Sequence, residues 1–325
     1  MTSILLHARE AGIATLFAEL IPVFQQQQWR VCLDFNDAAM RCLPSMVFDR
    51  DQYCDVLLCG YDAASQNETG SAIRRAAGLS MLTIGLLDAW KGLQRFWHDD
   101  GQLREMPDYL LVPDNYIADW LKSNGLANTG IEVVEHPKIA RFRSMTQFQR
   151  EQRKQAAMMK LPAVSGKSII FYSEPVHENI CTGSAYQSLA DIKIRHNESF
   201  SVLKWIEKMY SRDYQLLFRP HPAENRQVPD GWLDASCLSL EESLFMPDKI
   251  IGVGSTMLMY AVAAGLDVVN ISDLIRWQPQ QSDYDNEVWL QLVKSGSFGH
   301  GQGNASQAST ISVVEKIQAL MKMGR

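Results

Sequence analysis

Short apolar runs alternating with longer amphipathic ones predict an α/β chain of two Rossmann-like domains facing each other across a cleft. The alternation runs almost from end to end and breaks once, at the polar, basic stretch Arg141–Lys160, which Pro162 and Gly166 follow. The 325 residues are long for one hydrophobic core and comfortable for two domains of roughly 150 residues each.

Ser3–His7 reads as a strand and Ala8–Gly12 as a turn. Ile13, Leu16, Phe17, Leu20, Ile21 and Phe24 then recur at helical spacing and mark one apolar face. Arg30–Phe35 and Asp55–Cys59 are the next strands. Asn67–Gly78 is a helix with glycine at its end, and Ser80–Leu86 a strand. Tyr109–Val112, Asn115–Asn124 and Ile131–Val134 read as strand, helix and strand. Strands separated by helices in this order make a parallel sheet with right-handed crossovers.

The pattern restarts with the strand Ser168–Tyr172 and the stretch Phe200–Tyr210, where Leu203, Ile206 and Tyr210 share a face. Tyr214–Phe218 is a strand, and a short helix around Glu241–Phe245 precedes the strand Lys249–Val253. Thr256–Ala264 is a nearly all-apolar helix closed by Gly265, and Leu266–Ile271 is a strand. Ile311, Val314, Ile317 and Met321 mark a final helix. The expected division is a first domain over 1–140, a basic connector over 141–165 and a second domain over 166–325.

Composition removes several function classes. With 46% hydrophobic and 21% charged residues the chain is ordinary globular protein and not disordered. A formal charge of −6 argues against a nucleic-acid binder, which carries a basic domain or stripe. There is no apolar run of about 18 residues for a membrane span. The segment Met1–Glu10 has neither the basic start nor the apolar length of a signal peptide, so the expected location is the cytoplasm. The six cysteines form no CxxC pair and read as small core residues in a reducing compartment.

Three strand ends in the second half carry candidate chemistry. The run Ile250-Ile251-Gly252-Val253-Gly254-Ser255-Thr256 leads a strand into an apolar helix. Helix N-termini present unpaired N–H groups and the positive end of a dipole, so Gly254, Ser255 and Thr256 are placed to meet a phosphate. The alternative is an N-cap at Ser255 with glycines for packing. Arg219-Pro220-His221-Pro222 follows another strand, and crevices at the carboxyl ends of such sheets are where ligands bind. Arg219 and His221 can each contact an anion. Ser173 and Glu174 end a third strand and complete the set. Ser165-Gly166-Lys167-Ser168 looks like the end of a Walker loop but is not one, because its lysine precedes a strand rather than a helix.

In the first half, Asp62 and Asp88 follow strands and Glu68 opens a helix, all at the same expected edge, with His7 on the same rim. Each acid singly is better explained by a turn, a cap or a helix-start charge; three together shift the balance toward a cleft.

The runs Arg219-Pro220-His221-Pro222-Ala223-Glu224, Gly252-Val253-Gly254-Ser255-Thr256 and Ala261-Val262-Ala263-Ala264-Gly265 resemble the second domain of bacterial GT-B glycosyltransferases. The nearest likeness is to surface-carbohydrate enzymes using CMP-activated sialic-acid-like or Kdo sugars. That resemblance implies a nucleotide-sugar-binding second domain, an acceptor-side first domain, a glycan or lipid-linked acceptor, and contact with the inner membrane face. It also implies that a His-Pro pair and a downstream Ser/Thr turn hold the nucleotide. Where many such enzymes place a glutamate for the donor ribose, this chain has Met259-Tyr260-Ala261, which departs from a retaining UDP- or ADP-sugar mechanism.

The expected activity is therefore inverting glycosyl transfer polysaccharide-side, with Asp88 as general base and Asp62 and Glu68 as alternatives, and His221 assisting the leaving group. No metal or cofactor is expected, since there is no DxD triplet and no histidine cluster at ligand spacing. The connector cations Arg141, Arg143, Arg150, Arg153, Lys154 and Lys160 fit either a solvated linker or a surface for anionic lipid. Two other functions suit the same scaffold: a nucleotide-sugar epimerase or hydrolase, and a non-catalytic subunit of an envelope-polysaccharide complex.

Overall fold

A computed structural model describes residues 2–9, 11–41, 53–61, 66–87, 96–98, 100–126, 129–173, 175–176, 187–188, 193–194, 197–221, 227–253, 255–271, 274 and 312–323. The chain forms two compact units. The first comprises the described residues of Met1–Ala140 with those of Ser297–Arg325, and the second those of Arg141–Gly296.

The first unit is a six-stranded parallel sheet in the order β2-β1-β3-β4-β5-β6. Its strands are β1 (Ser3–Ala8), β2 (Arg30–Phe35), β3 (Val56–Tyr61), β4 (Leu82–Leu87), β5 (Tyr109–Val112) and β6 (Gly130–Val133). The helices are α1 (Ala11–Gln26), α2 (Asp37–Met40), α3 (Gln66–Gly78) and α4 (Asn115–Ser123), with α5 (Pro137–Ser144) leading out. The stripe from Ile13 to Phe24 is buried throughout and packs on Ile4, Leu6 and Ala8 of β1. Each such fully buried side chain contributes about 1.5–3 kcal/mol. Gly60 of β3 lets α1 approach: a Cβ there would lie 1.9 Å from Ile13 Cγ1.

The second unit is a five-stranded parallel sheet in the order β13-β12-β7-β14-β15. Its strands are β7 (Ser168–Tyr172), β12 (Gln215–Arg219), β13 (Leu233–Asp234), β14 (Lys249–Gly252) and β15 (Val268–Asn270). Two short antiparallel pairs lie between β7 and β12 in the chain: β8 (Pro175–Val176) with β9 (Gln187–Ser188), and β10 (Lys193–Ile194) with β11 (Asn197–Ser201). The helices are α6 (Gln147–Lys160), α7 (Val202–Tyr210), α8 (Leu240–Phe245) and α9 (Thr256–Ala263). Gly265 follows α9 at φ +71°, a conformation glycine adopts without strain.

Two details differ from the sequence expectation. The last helix, α10 (Val313–Met323), falls within the span 166–325 assigned to the second domain, yet its Val313, Val314, Ile317 and Leu320 pack in the first unit's core. The basic connector is helical, as α5 and α6 separated at Met145-Thr146, where Thr146 forms a capping box with Gln149. Although most of α6 is exposed, part of its charge is paired rather than solvated. Arg141, Arg150, Arg153 and Lys160 are engaged inside the second unit. Arg153 Nε lies 2.5 Å from Glu241, Arg141 also meets Glu241, and Lys160 Nζ lies 2.7 Å from Glu242. Arg150 donates to Ala264 O at the end of α9, at 2.8 Å. Of the connector's cations, Arg141, Arg153 and Lys160 pair with the carboxylates Glu241 and Glu242.

Among the described residues no helix is long and apolar enough to cross a membrane.

Candidate functional site

In each unit, polar side chains collect at the carboxyl ends of adjacent parallel strands, beside the point where the strand order reverses. In an open α/β sheet that is the crevice where ligands bind.

In the second unit the reversal falls between β7 and β14. The register sets Arg219 beside Tyr172 and Tyr172 beside Gly252, so the ends of β12, β7 and β14 lie side by side. This brings together the strand ends that carry Arg219 and His221, Ser173, and Ser255 and Thr256. Arg219 is committed to structure: its Nη1 donates to Ala235 O at 3.0 Å and to Leu238 O at 2.7 Å, bracing the loop before α8. Ser173 is buried, and its N–H donates to Arg219 O at 3.0 Å. Tyr172 donates to Ser243 Oγ at 2.9 Å, and burial pushes its hydroxyl pKa up. Ser255 caps α9, accepting from Met257 N at 3.3 Å, with Thr256 as the first helical residue. Gly252 serves packing, since a Cβ would sit 3.0 Å from Leu258 Cδ2. His221 is exposed. Glu174 and Gly254 lie outside the described residues.

In the first unit the reversal falls between β1 and β3. The parallel register sets His7 directly opposite Asp34 of β2 and Cys59 of β3. Ile4, Leu6 and Ala8 face the core under α1, so alternation turns His7 to the other face of the sheet. There His7 Nδ1 meets Asp34 Oδ2 at 2.8 Å. A carboxylate only accepts, so Nδ1 carries a proton, and in the neutral ring Nε2 carries the lone pair. His7 is fully buried, and its Nε2 has no hydrogen-bond partner among the described residues.

Arg9 completes the cluster. It reaches Asp34 Oδ1 at 2.9 Å, Asp34 O at 2.7 Å and Glu68 Oε2 at 2.5 Å, tying the first turn of α3 to the end of β1. The hydrogen bond from His7, with help from Arg9 and against the opposing effect of burial, holds the Asp34 carboxyl well below the usual range. Glu68 thus appears as the exposed partner of an arginine. Thr69, beside it, has a buried Oγ1 with no hydrogen-bond partner among the described residues. Asp62 and Asp88 follow β3 and β4 directly but lie outside the described residues.

The sequence placed His7 on this rim but missed Asp34 and Arg9. The available signal was one acid inside the apolar run Arg30–Phe35. Its meaning depends on β1 and β2 being parallel neighbours in this register. Among the described residues no cluster of three or more histidines, cysteines and acids could hold a metal ion.

No protein-family model matches the chain, and no curated protein matches it. Solved structures do. A UDP-GlcNAc 2-epimerase of Methanocaldococcus jannaschii, in complex with UDP-GlcNAc and UDP, is 12% identical with a TM-score of 0.57 over 99% of both chains. The S. aureus MnaA–UDP co-structure is 13% identical with a TM-score of 0.56, over 92% of this chain and 90% of that one. The wall teichoic acid polymerase TagF is 12% identical with a TM-score of 0.54, over 98% of this chain and 89% of that one. The chain therefore has the two-domain Rossmann-like fold of GT-B glycosyltransferases and epimerases. At such identities the likeness is one of fold.

Proposed function

We propose that the chain is an inverting glycosyltransferase that moves a sugar from a nucleotide-activated donor, CMP-linked by the resemblance of its motifs, to a cell-surface glycan or lipid-linked acceptor. The observation that carries this is the His7–Asp34 pair: a buried imidazole oriented by a carboxylate near the carboxyl end of β1, with an Nε2 that has no hydrogen-bond partner among the described residues.

In this scheme the acceptor hydroxyl gives its proton to His7 Nε2 as its oxygen bonds the anomeric carbon. The bond from that carbon to the donor phosphate breaks, and the electron pair leaves with the phosphate. Asp34 keeps the imidazole in the required tautomer and stabilises the imidazolium that forms. His7 joins Asp88, Asp62 and Glu68 as a candidate base, and its pairing with Asp34 lies within the described residues. On the second unit, His221, Gly254, Ser255 and Thr256 receive the nucleotide phosphate, using the N–H groups that open α9. Ser173 lines the same edge, Glu174 is a further candidate by its place in the sequence, and Arg219 acts by holding the loop before α8.

A second reading is a nucleotide-sugar epimerase, favoured by the likeness to a UDP-GlcNAc 2-epimerase. Peripheral membrane contact through α6 would rest on its exposed Phe148, Met158 and Met159 more than on its paired cations.

The test is a thermal-shift panel of CMP-, CDP-, UDP- and GDP-linked sugars, followed by turnover of each binder with and without candidate acceptors. A ligand at 100 times its Kd should add about 2.7 kcal/mol of stability. Glycosyl transfer abolished by His7→Ala supports the proposal. Conversion of the donor alone moves the chain to the epimerase reading, and absence of any nucleotide binding leaves only a non-catalytic role.

A further inference from the structure

The second unit holds a cavity of about 310 Å³ at the opposite end of its sheet from Arg219 and Ser255. Ser168, which begins β7, and Asp248, which precedes β14, are on its wall, so it opens at the amino ends of the strands. Lys154 and Met158, one turn apart on α6, form one side. Val164, Lys167 and Met246 form much of the remainder.

The charge here is unlike that of Arg153 and Lys160 on the same helix. Arg153 and Lys160 are neutralised by Glu241 and Glu242, whereas Lys154 and Lys167 have no carboxylate partner among the described residues. Asp248, the acid on the wall, uses Oδ2 to accept the Ser168 N–H at 2.8 Å. In the loop between α6 and β7, Ser165 N–H is taken by Gln215 Oε1, while the N–H groups of Gly166 and Lys167 have no acceptor among the described residues. Two ammonium groups and two successive backbone donors suit a doubly charged oxyanion. Val164 and Met246 are buried, and with Met158 they give the cavity an apolar side.

We infer that this cavity binds a small phosphate monoester, with the phosphate between Lys154 and Lys167 and a short apolar body against Met158, Val164 and Met246. The volume lies at the low end of ligand pockets, about 300–1,000 Å³, and suits a molecule the size of phenyl phosphate. This gives the Ser165-Gly166-Lys167-Ser168 segment a role as an anion site without a Walker geometry. The inference does not depend on the proposed glycosyl transfer.

Calorimetric titration with phenyl phosphate and with inorganic phosphate tests it on three proteins: wild type, the double variant Lys154→Ala/Lys167→Ala, and His221→Ala. The expected result is binding to wild type and to His221→Ala with equal affinity, and a loss of about tenfold or more in the double variant. Inorganic phosphate should bind more weakly than phenyl phosphate, because it leaves the apolar side uncovered. Neither lysine holds a structural contact, so the double variant should melt with the wild type. No binding to wild type overturns the inference. So does undiminished binding by the double variant, or a loss confined to His221→Ala, which would place the anion at the other edge of the sheet.

Discussion

The two units each place a histidine beside the carboxyl ends of parallel strands, yet in opposite settings. His7 lies within a strand, fully buried, its ring fixed by Asp34 and its neighbourhood cross-tied by Arg9. His221 lies just past a strand, exposed, in the Pro220-His221-Pro222 segment. A group that transfers a proton gains from orientation fixed before the substrate arrives. A group that grips a mobile anion needs access and can adjust. The contrast fits a base in the first unit and a phosphate contact in the second.

The comparison breaks first at His7. His7→Ala should lower turnover by about 10²–10⁴-fold while leaving donor affinity near wild type, measured by steady-state kinetics beside a direct binding titration. Near-normal turnover would return the role of base to Asp88 or Asp62. Asp34→Asn keeps the shape but loses the carboxylate that orients His7, and turnover should drop about a hundredfold with little change in donor Kd. Equal losses in kcat and donor binding would show that Asp34 merely supports the fold.

The next largest effect is on stability. Glu241→Ala leaves Arg141 and Arg153 facing each other's charge without the acid between them. Both arginines are near half exposed and can hydrate, so the cost should be about 2 kcal/mol, below that of breaking a fully buried pair. Urea unfolding measures it, and a change under about 0.5 kcal/mol would mean that packing alone seats α6 on α8.

His221→Ala should weaken donor binding by about tenfold, the loss of one charge-assisted contact at an exposed position. An unchanged donor Kd would remove His221 from the site and with it half of the contrast between the units.

The smallest effect is pH-dependent. The hydrogen bond from Lys160 holds Glu242 below its ordinary 4.5, so the stability it adds is present above that pH and is lost as pH falls through the lowered folded value. The stability gap between wild type and Glu242→Gln should therefore close on acidification below pH 4.5. A gap that persists there would assign the effect to something other than this ionisation.

Much of the architecture is legible along the chain because its signals are local. Helical spacing from Ile13 to Phe24, the Gly265 stop and the apolar runs of β1, β5 and β7 fix element type by periodicity and capping. The strand ends bearing Arg219, Ser173 and Ser255 follow from the same signals, since a parallel sheet aligns its carboxyl ends.

What the sequence by itself determined, then, is the alternation of strand and helix, the break near residue 140 and the edge of each sheet on which polar residues gather. Only the tertiary structure decided that Arg219 braces a loop, that Glu68 is held by Arg9, that the connector's cations answer Glu241 and Glu242, and that α10 packs in the first core. It alone made a pair of His7 and Asp34. The reason is physical: periodicity reports a residue's own environment, whereas an ion pair or an oriented imidazole depends on which strands are neighbours and in what register. Residues 27 positions apart became hydrogen-bond partners only when β1 and β2 lay side by side.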